Sequence, residues 1–335
     1  SDRGYVYFQL KNYQAAIADY SKVIDLQPNN ASIYGVRGEA YYNLGNDRTA
    51  IADYTKAIAL DPNNALTYGG RGLAYFQLNN YQAAIVDLDQ AIKLNPNSAQ
   101  AYISRGLVYS KSKDYQAAIA DYNQSLKLNP NDVEAYNSRG NAYSDLKEYQ
   151  AAIADYNQSL KLNPNFAVAY NNRGNVYKDL KEYQAAIADY TKALKLNSIN
   201  SNFAAYYNRG IVYKDLKEYQ AAIADYTKVI KLNPNYAFAY HDRGGVYMDL
   251  KEYQAAIADY TQALKLNPNY AFAYHNRGSA YMNLKEYQAA IADYTKALKL
   301  NPNFARAYYN RANAYGYLKE YQAAIADYTK ALKLN

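Results

Sequence analysis

The chain has 335 residues, 50% of them apolar, and its 37 Lys and Arg against 30 Asp and Glu give a mild net charge of +7. It contains no cysteine, which excludes disulfides, thiolate metal sites and a cysteine nucleophile and leaves the compartment open. No run approaches the roughly 18 apolar residues of a membrane span.

A repeat organises everything else. The prolines Pro28, Pro62, Pro96, Pro130, Pro164, Pro234, Pro268 and Pro302 share one phase of a period of about 34 residues. Units of this size cannot bury an apolar face alone, so neighbours supply the rest of the core and the chain reads as one continuous all-α array. With Ala167 as position 1, the units are 1–30 (lacking its first turn), 31–64, 65–98, 99–132, 133–166, 167–202, 203–236, 237–270, 271–304 and 305–335. Opening at Ser1 inside a unit, the chain is expected to be preceded by further sequence.

Each unit predicts two helices. In the first, positions 4, 7, 11 and 14 lie on one line at helical spacing, which in the sixth unit is Tyr170, Arg173, Tyr177 and Leu180. In the second, positions 17, 20, 21, 24, 27 and 28 form the apolar stripe, and positions 18, 22, 25, 26 and 29 face away. The Asn-Pro step ends the second helix, because the residue before proline is pushed out of the α region. Glycine at position 8 allows close packing of two helices.

In chain order, the units differ mainly on the side of the first helix opposite that stripe. The third holds Leu66, Gly69, Gly70, Leu73 and Phe76, a small apolar stretch. The fifth and sixth are polar there, with Asn137, Asn141, Asp145, Asn171, Asn175 and Asp179. The sixth is longer by two residues and has Ser198 in place of proline, which predicts a longer loop over 197–202 and a changed angle between units. The seventh to ninth carry Tyr207, Phe238, His241, Asp242, Met248, Phe272, His275 and Met282, suitable anchors for a partner. The tenth has Ala312 at position 8. Tyr328, Ala331 and Leu332 of that unit are expected to be uncovered, an edge fit for head-to-tail self-association.

The pattern Tyr-Gly-Tyr-Ala-Tyr-Ala-Pro at positions 4, 8, 11, 20, 24, 27 and 32 resembles the tetratricopeptide repeat. The resemblance implies a right-handed superhelical solenoid of about ten helix–turn–helix units, whose first helices line a concave groove. Some members bind extended peptides through asparagines at position 6, a position held here by Asn172, Asn208, Asn276 and Asn310. The implied role is an interaction scaffold for a protein or peptide segment. Side-chain amides in a row also suit sequence-tolerant contact with a peptide backbone.

One departure is systematic. Position 7, usually aliphatic in that family, is Arg in every unit, and position 23 is Asp in every unit. A guanidinium inside an apolar stripe needs a carboxylate, so pairs such as Arg139 with Asp155, Arg173 with Asp189 and Arg243 with Asp259 are expected. The alternative is an arginine ladder reading an acidic ligand. His241 and His275 lack a third and fourth ligand for a metal, and nothing implies a cofactor or a catalytic constellation. The lysines at position 29 lie on the outer helix face without stacking aromatics, which speaks against nucleic acid as the partner.

Overall fold

The computed structural model describes residues 2–196 and 199–334, the side chains of 199–202 excepted. The described residues form twenty helices and no strand, from α1 (Asp2–Gln9) and α2 (Tyr13–Leu26) to α19 (Ala305–Tyr317) and α20 (Tyr321–Leu334). Odd-numbered helices are the first of each repeat and even-numbered ones the second. Packing divides the chain into one compact unit ending at Ala169 and another beginning at Tyr170.

The turn inside each repeat is set by backbone chemistry. In α9 (Val133–Asp145) the Glu148 amide donates to the Tyr143 carbonyl at 2.8 Å and the Lys147 amide to Ser144 at 2.9 Å. This double closure places Lys147 in the left-handed region at φ 62°. Lys11, Asn79, Lys113, Lys181, Lys217, Lys251, Lys285 and Lys319 repeat that conformation at the same position, and Gly45 takes it in the second repeat. After the second helix, the Asn before Pro does more than stop the α region. Asn163 also accepts the Asn165 amide at 3.0 Å and so tightens the bend.

The start of the first helix changes along the chain. Asn30, Asn64, Ser98 and Asp132 cap α3 (Ala31–Asn43), α5 (Ala65–Gln77), α7 (Ala99–Lys111) and α9 by accepting a backbone amide. Tyr236, Tyr270 and Phe304 hold the same position before α15 (Ala237–Asp249), α17 (Ala271–Asn283) and α19 and make no side-chain cap bond. Helix-start stabilisation is exchanged there for aromatic packing.

The core follows the small-and-large alternation. Alanine at position 20 is fully buried, as at Ala152 and Ala186, and the position-24 tyrosines Tyr122, Tyr156, Tyr190, Tyr226, Tyr260 and Tyr294 are the largest buried side chains. Glycine at position 8 makes room for that ring rather than for helix backbone: a Cβ on Gly106 would stand 2.7 Å from Tyr122 Cε1.

The position-7 arginines lie inside this packing. Arg209 donates from Nε and Nη2 to the two oxygens of Asp225 at 2.8 Å each, and the same fork joins Arg139 to Asp155, Arg173 to Asp189 and Arg243 to Asp259. All ten repeats have it, although Arg3 is 68% exposed whereas the other nine side chains are 15–20% exposed. Each inner guanidinium also lies over the ring of the position-4 tyrosine, 5.5 Å from the centroid for Arg173 and Tyr170. The third nitrogen reaches the preceding repeat. Arg37 Nη1 donates to Ser21 at 2.9 Å, Arg105 to Asp89 at 2.6 Å and Arg277 to Thr261 at 2.9 Å. Position 25 therefore does not face away, contrary to the helical-wheel assignment; it supplies the acceptor between repeats. The arginines are occupied by the protein itself, which answers the acidic-ligand alternative.

Two other expectations change. Helix α13 runs Ile199–Asp215, 17 residues against 13 in α11 (Ala167–Asp179), so the extra residues from 199 onward extend a helix instead of lengthening a loop. Asn197 and Ser198, also part of that expected loop, lie outside the described residues. On α20, Leu332 is 77% exposed where its counterpart Leu298 is 6%, but Ala331 is buried and Tyr328 half-buried within their own repeat.

Buried tyrosine hydroxyls expose a further rule. Tyr156, Tyr190 and Tyr328 donate to the position-9 amides Asn141, Asn175 and Asn313 at 2.8, 2.8 and 2.6 Å. Position 9 of the seventh repeat is Ile211, and the buried Tyr226 hydroxyl has no partner. Tyr226→Phe is expected to leave the urea midpoint unchanged or raise it, while Tyr190→Phe lowers stability by about 1 kcal/mol. Equal losses in both variants would contradict this assignment.

Candidate functional site

The first helices of the second unit carry the site residues expected from sequence. Asn172, on α11, is half-buried. Asn208 Nδ2 donates to Asn175 Oδ1 at 2.9 Å, the oxygen that also receives the Tyr190 hydroxyl. From Tyr207 onward, six side chains form one chain of hydrogen bonds across four repeats. Tyr207 donates its hydroxyl proton to Asp242 Oδ2. Asp242 Oδ1 faces His241 Nδ1 at 2.9 Å, and His241 Nε2 faces Asn276 Nδ2 at 3.0 Å. Asn276 Oδ1 faces His275 Nδ1 at 3.0 Å, and His275 Nε2 faces Asn310 Nδ2 at 3.0 Å.

Donor chemistry fixes the tautomers. An amide nitrogen only donates, so His241 Nε2 and His275 Nε2 accept and both rings carry their proton on Nδ1. Every link then runs in a consistent donor–acceptor sense with both imidazoles neutral. Burial lowers the His275 pKa, with the nearby Arg306 charge adding to the effect against the Asn276 hydrogen bond. Burial and the Asp242 charge together push the Tyr207 hydroxyl far up.

These polar groups are therefore linked to one another rather than displayed. Asn276 and Asn310 at position 6 bond the position-5 histidine of the preceding repeat, and Asn208 bonds the position-9 amide of the preceding repeat, so these side chains already have partners within the protein. Among the described residues, no group of three or more His, Asp or Glu is placed to hold a metal.

The outer layer is aromatic. Phe238 is 45% and Phe272 56% exposed. Each packs edge-on against the ring that precedes the next first helix, Phe238 on Tyr270 at 5.3 Å and Phe272 on Phe304 at 5.1 Å. His241 and His275 lie under the same two rings at 4.8 Å. Beside this layer, Met248, Tyr260 and Asn276 line a recess of about 220 Å³, and Met282, Tyr294 and Asn310 one of about 180 Å³. Sequence reasoning missed the anchoring rings Tyr236, Tyr270 and Phe304. Their signal was the switch at that position from Asn, Ser or Asp in the early repeats to an aromatic in the later ones.

The neutral, buried His275 gives a pH test. The unfolded side chain takes a proton near its ordinary value of 6.5 and the folded one only at lower pH. Its contribution is thus fully present above that value and declines as pH falls below it. His275→Gln is expected to lessen the loss of melting temperature between about pH 7 and pH 5. Parallel melting curves for both proteins would contradict a buried neutral imidazole.

Comparison with known proteins follows this geometry. The tetratricopeptide repeat model matches residues 99–132, 133–166, 167–200, 203–236, 271–304 and 305–335, and a second TPR repeat model matches 4–45, 38–79, 72–113 and 244–285. No curated protein matches the chain. Among solved structures, a tetratricopeptide repeat protein from Parabacteroides merdae is similar at 20% identity and TM-score 0.59, over 74% of this chain and 96% of that one. MamA shares 31% identity over 48% of this chain and 95% of its own, at TM-score 0.46. YrrB, described as a TPR protein with an unusual peptide-binding site, shares 25% identity over 56% of this chain and 95% of its own, at TM-score 0.49. With its helical hairpins matched along most of its length, the chain belongs to the tetratricopeptide repeat family.

Proposed function

We propose that the chain is a protein-interaction scaffold that holds a protein or peptide segment along the first helices of its second unit. The observation that supports this most is the exposure of Phe238 and Phe272 on a bed of rings that fixes their orientation. A large apolar side chain held rigid and left open to water contributes most to association when a partner covers it. The recesses beside Met248 and Met282 supply adaptable walls for that partner's side chains. The hydrogen-bonded chain beneath acts as a stiff base and leaves main-chain recognition to the outer edges of Asn276 and Asn310.

A second reading rests on Leu332, open on α20 where Leu298 is covered. A second copy seated there would extend the array head to tail.

The two readings separate experimentally. Peptides selected from a displayed random library on the immobilised protein are expected to lose at least about tenfold in affinity to the Phe238→Ala/Phe272→Ala variant, with melting little changed, and to bind Leu332→Glu normally. Unchanged affinity in the double Phe variant removes the segment site from this face. Concentration-dependent sedimentation abolished by Leu332→Glu supports the self-association reading, and a monomer at all concentrations contradicts it.

A further inference from the structure

At one place in the first unit, neither position 5 of one repeat nor position 6 of the next carries a side chain that could form the cross-link. In the second unit these positions are Tyr207 with Asp242, His241 with Asn276 and His275 with Asn310, each pair in contact. Between α3 and α5 they are Gly35 and Gly70. With neither side chain present, a recess of about 430 Å³ opens between the two first helices, the size of a ligand pocket.

Its floor is the Tyr54 ring, tilted so far toward α5 that a Cβ on Gly70 would stand 2.8 Å from the hydroxyl oxygen. The position-9 amide that binds this hydroxyl in other repeats is replaced by Glu39. Among the described residues, neither the Tyr54 hydroxyl nor the Glu39 carboxylate has a hydrogen-bond or ion-pair partner. Much of the Glu39 side chain is open to solvent, yet the walls remove enough water to raise its carboxyl above the usual value. The remaining walls combine the apolar and aromatic side chains of Leu66, 83% exposed, Leu73 and Tyr42 with the uncharged polar residues Ser32, Asn43, Asn64 and Thr67.

These groups select a charge type. An unpaired carboxylate at the edge of a tyrosine-floored cavity repels anions and attracts a cation. The two rings offer faces to that cation, and the Tyr54 oxygen accepts one of its hydrogens. Leu66 and Leu73 suit the aliphatic stem that both basic side chains carry. We propose that this recess binds a lysine or arginine side chain of a partner segment, with Glu39 as the ion-pairing group and the Gly35–Gly70 gap as the space that admits it. This site is separate from the aromatic face of the second unit and stands or falls independently of it.

The test uses fluorescently labelled Leu-Lys-Leu and Leu-Arg-Leu peptides with blocked termini, and Leu-norleucine-Leu and Leu-Glu-Leu as comparators, in anisotropy titrations on the whole chain. The Lys and Arg peptides are expected to bind at least about tenfold more tightly than the norleucine peptide, and Glu39→Gln to remove that difference. Gly35→Leu, which fills the gap, is expected to abolish binding of the basic peptides. An added Cβ at Gly35 meets only Thr67 Oγ1 at 3.7 Å, so this backbone position has room for substitution. Phe238→Ala is expected to leave these titrations unchanged, which keeps failure here distinct from failure of the aromatic site. Equal affinity for Lys and norleucine peptides, an unaltered preference in Glu39→Gln, or no binding by either basic peptide would overturn the proposal. So would loss of self-association in Glu39→Gln with peptide binding intact, which assigns the recess to a second copy.

Discussion

A guanidinium inside an apolar stripe sets the terms for the rest of the structure. Eight position-7 arginines, Arg277 among them, each join three helices: their own, the second helix of their repeat through an Asp fork, and the second helix of the preceding repeat through the remaining nitrogen. A charge this buried must have its donors met, so the arrangement makes demands on the sequence around it. Position 23 must be Asp, position 25 must accept a hydrogen bond, and position 4 offers an aromatic face. A buried ion pair is not a large net source of stability compared with apolar packing. Its effect is geometric: a bidentate fork and a third directional bond fix the rotation of one hairpin on the next, which leucine at the same place would leave to less directional packing.

That fixed register separates the two sides of each first helix. The stripe containing position 7 is held constant, and positions 5, 6 and 9 are free to vary. In repeats seven to ten, positions 5 and 6 are filled with side chains that bond from repeat to repeat and support an aromatic surface. Between α3 and α5 the three positions hold two glycines and a glutamate, and a cavity appears. The same backbone thus presents a filled aromatic face in one place and an acidic recess in another through changes at three positions.

Much of this was legible in the sequence. The helical period, the Asn-Pro stops and the co-occurrence of Arg at 7 with Asp at 23 led to the helices and to their ion pairs, because each expresses a local or obligatory physical requirement. The acceptor at position 25 was equally visible, as Ser, Thr, Asp or Asn in every repeat, but a helical wheel of one isolated helix places it toward solvent. The interface with the preceding repeat overrides that wheel. Lys147 and its equivalents give no hint of a left-handed backbone, and only Gly45 and Asn79 at the same position do. The site was less legible because amides and imidazoles bond equally well to a partner or to each other. Only the juxtaposition of His241 with Asn276, and of His275 with Asn310, decides between the two.

The account rests on arginine coupling adjacent repeats, and a double-mutant cycle between Arg277 and Thr261 measures that coupling directly. Arg277→Met, Thr261→Val and the double variant are compared by urea unfolding, with the Asp293 fork lost equally in both arginine variants. A coupling energy of about 1–2 kcal/mol between the two sites is the predicted result, as for a hydrogen bond to a charged group. Additive effects within about 0.5 kcal/mol would contradict the claim that the third nitrogen ties one repeat to the next.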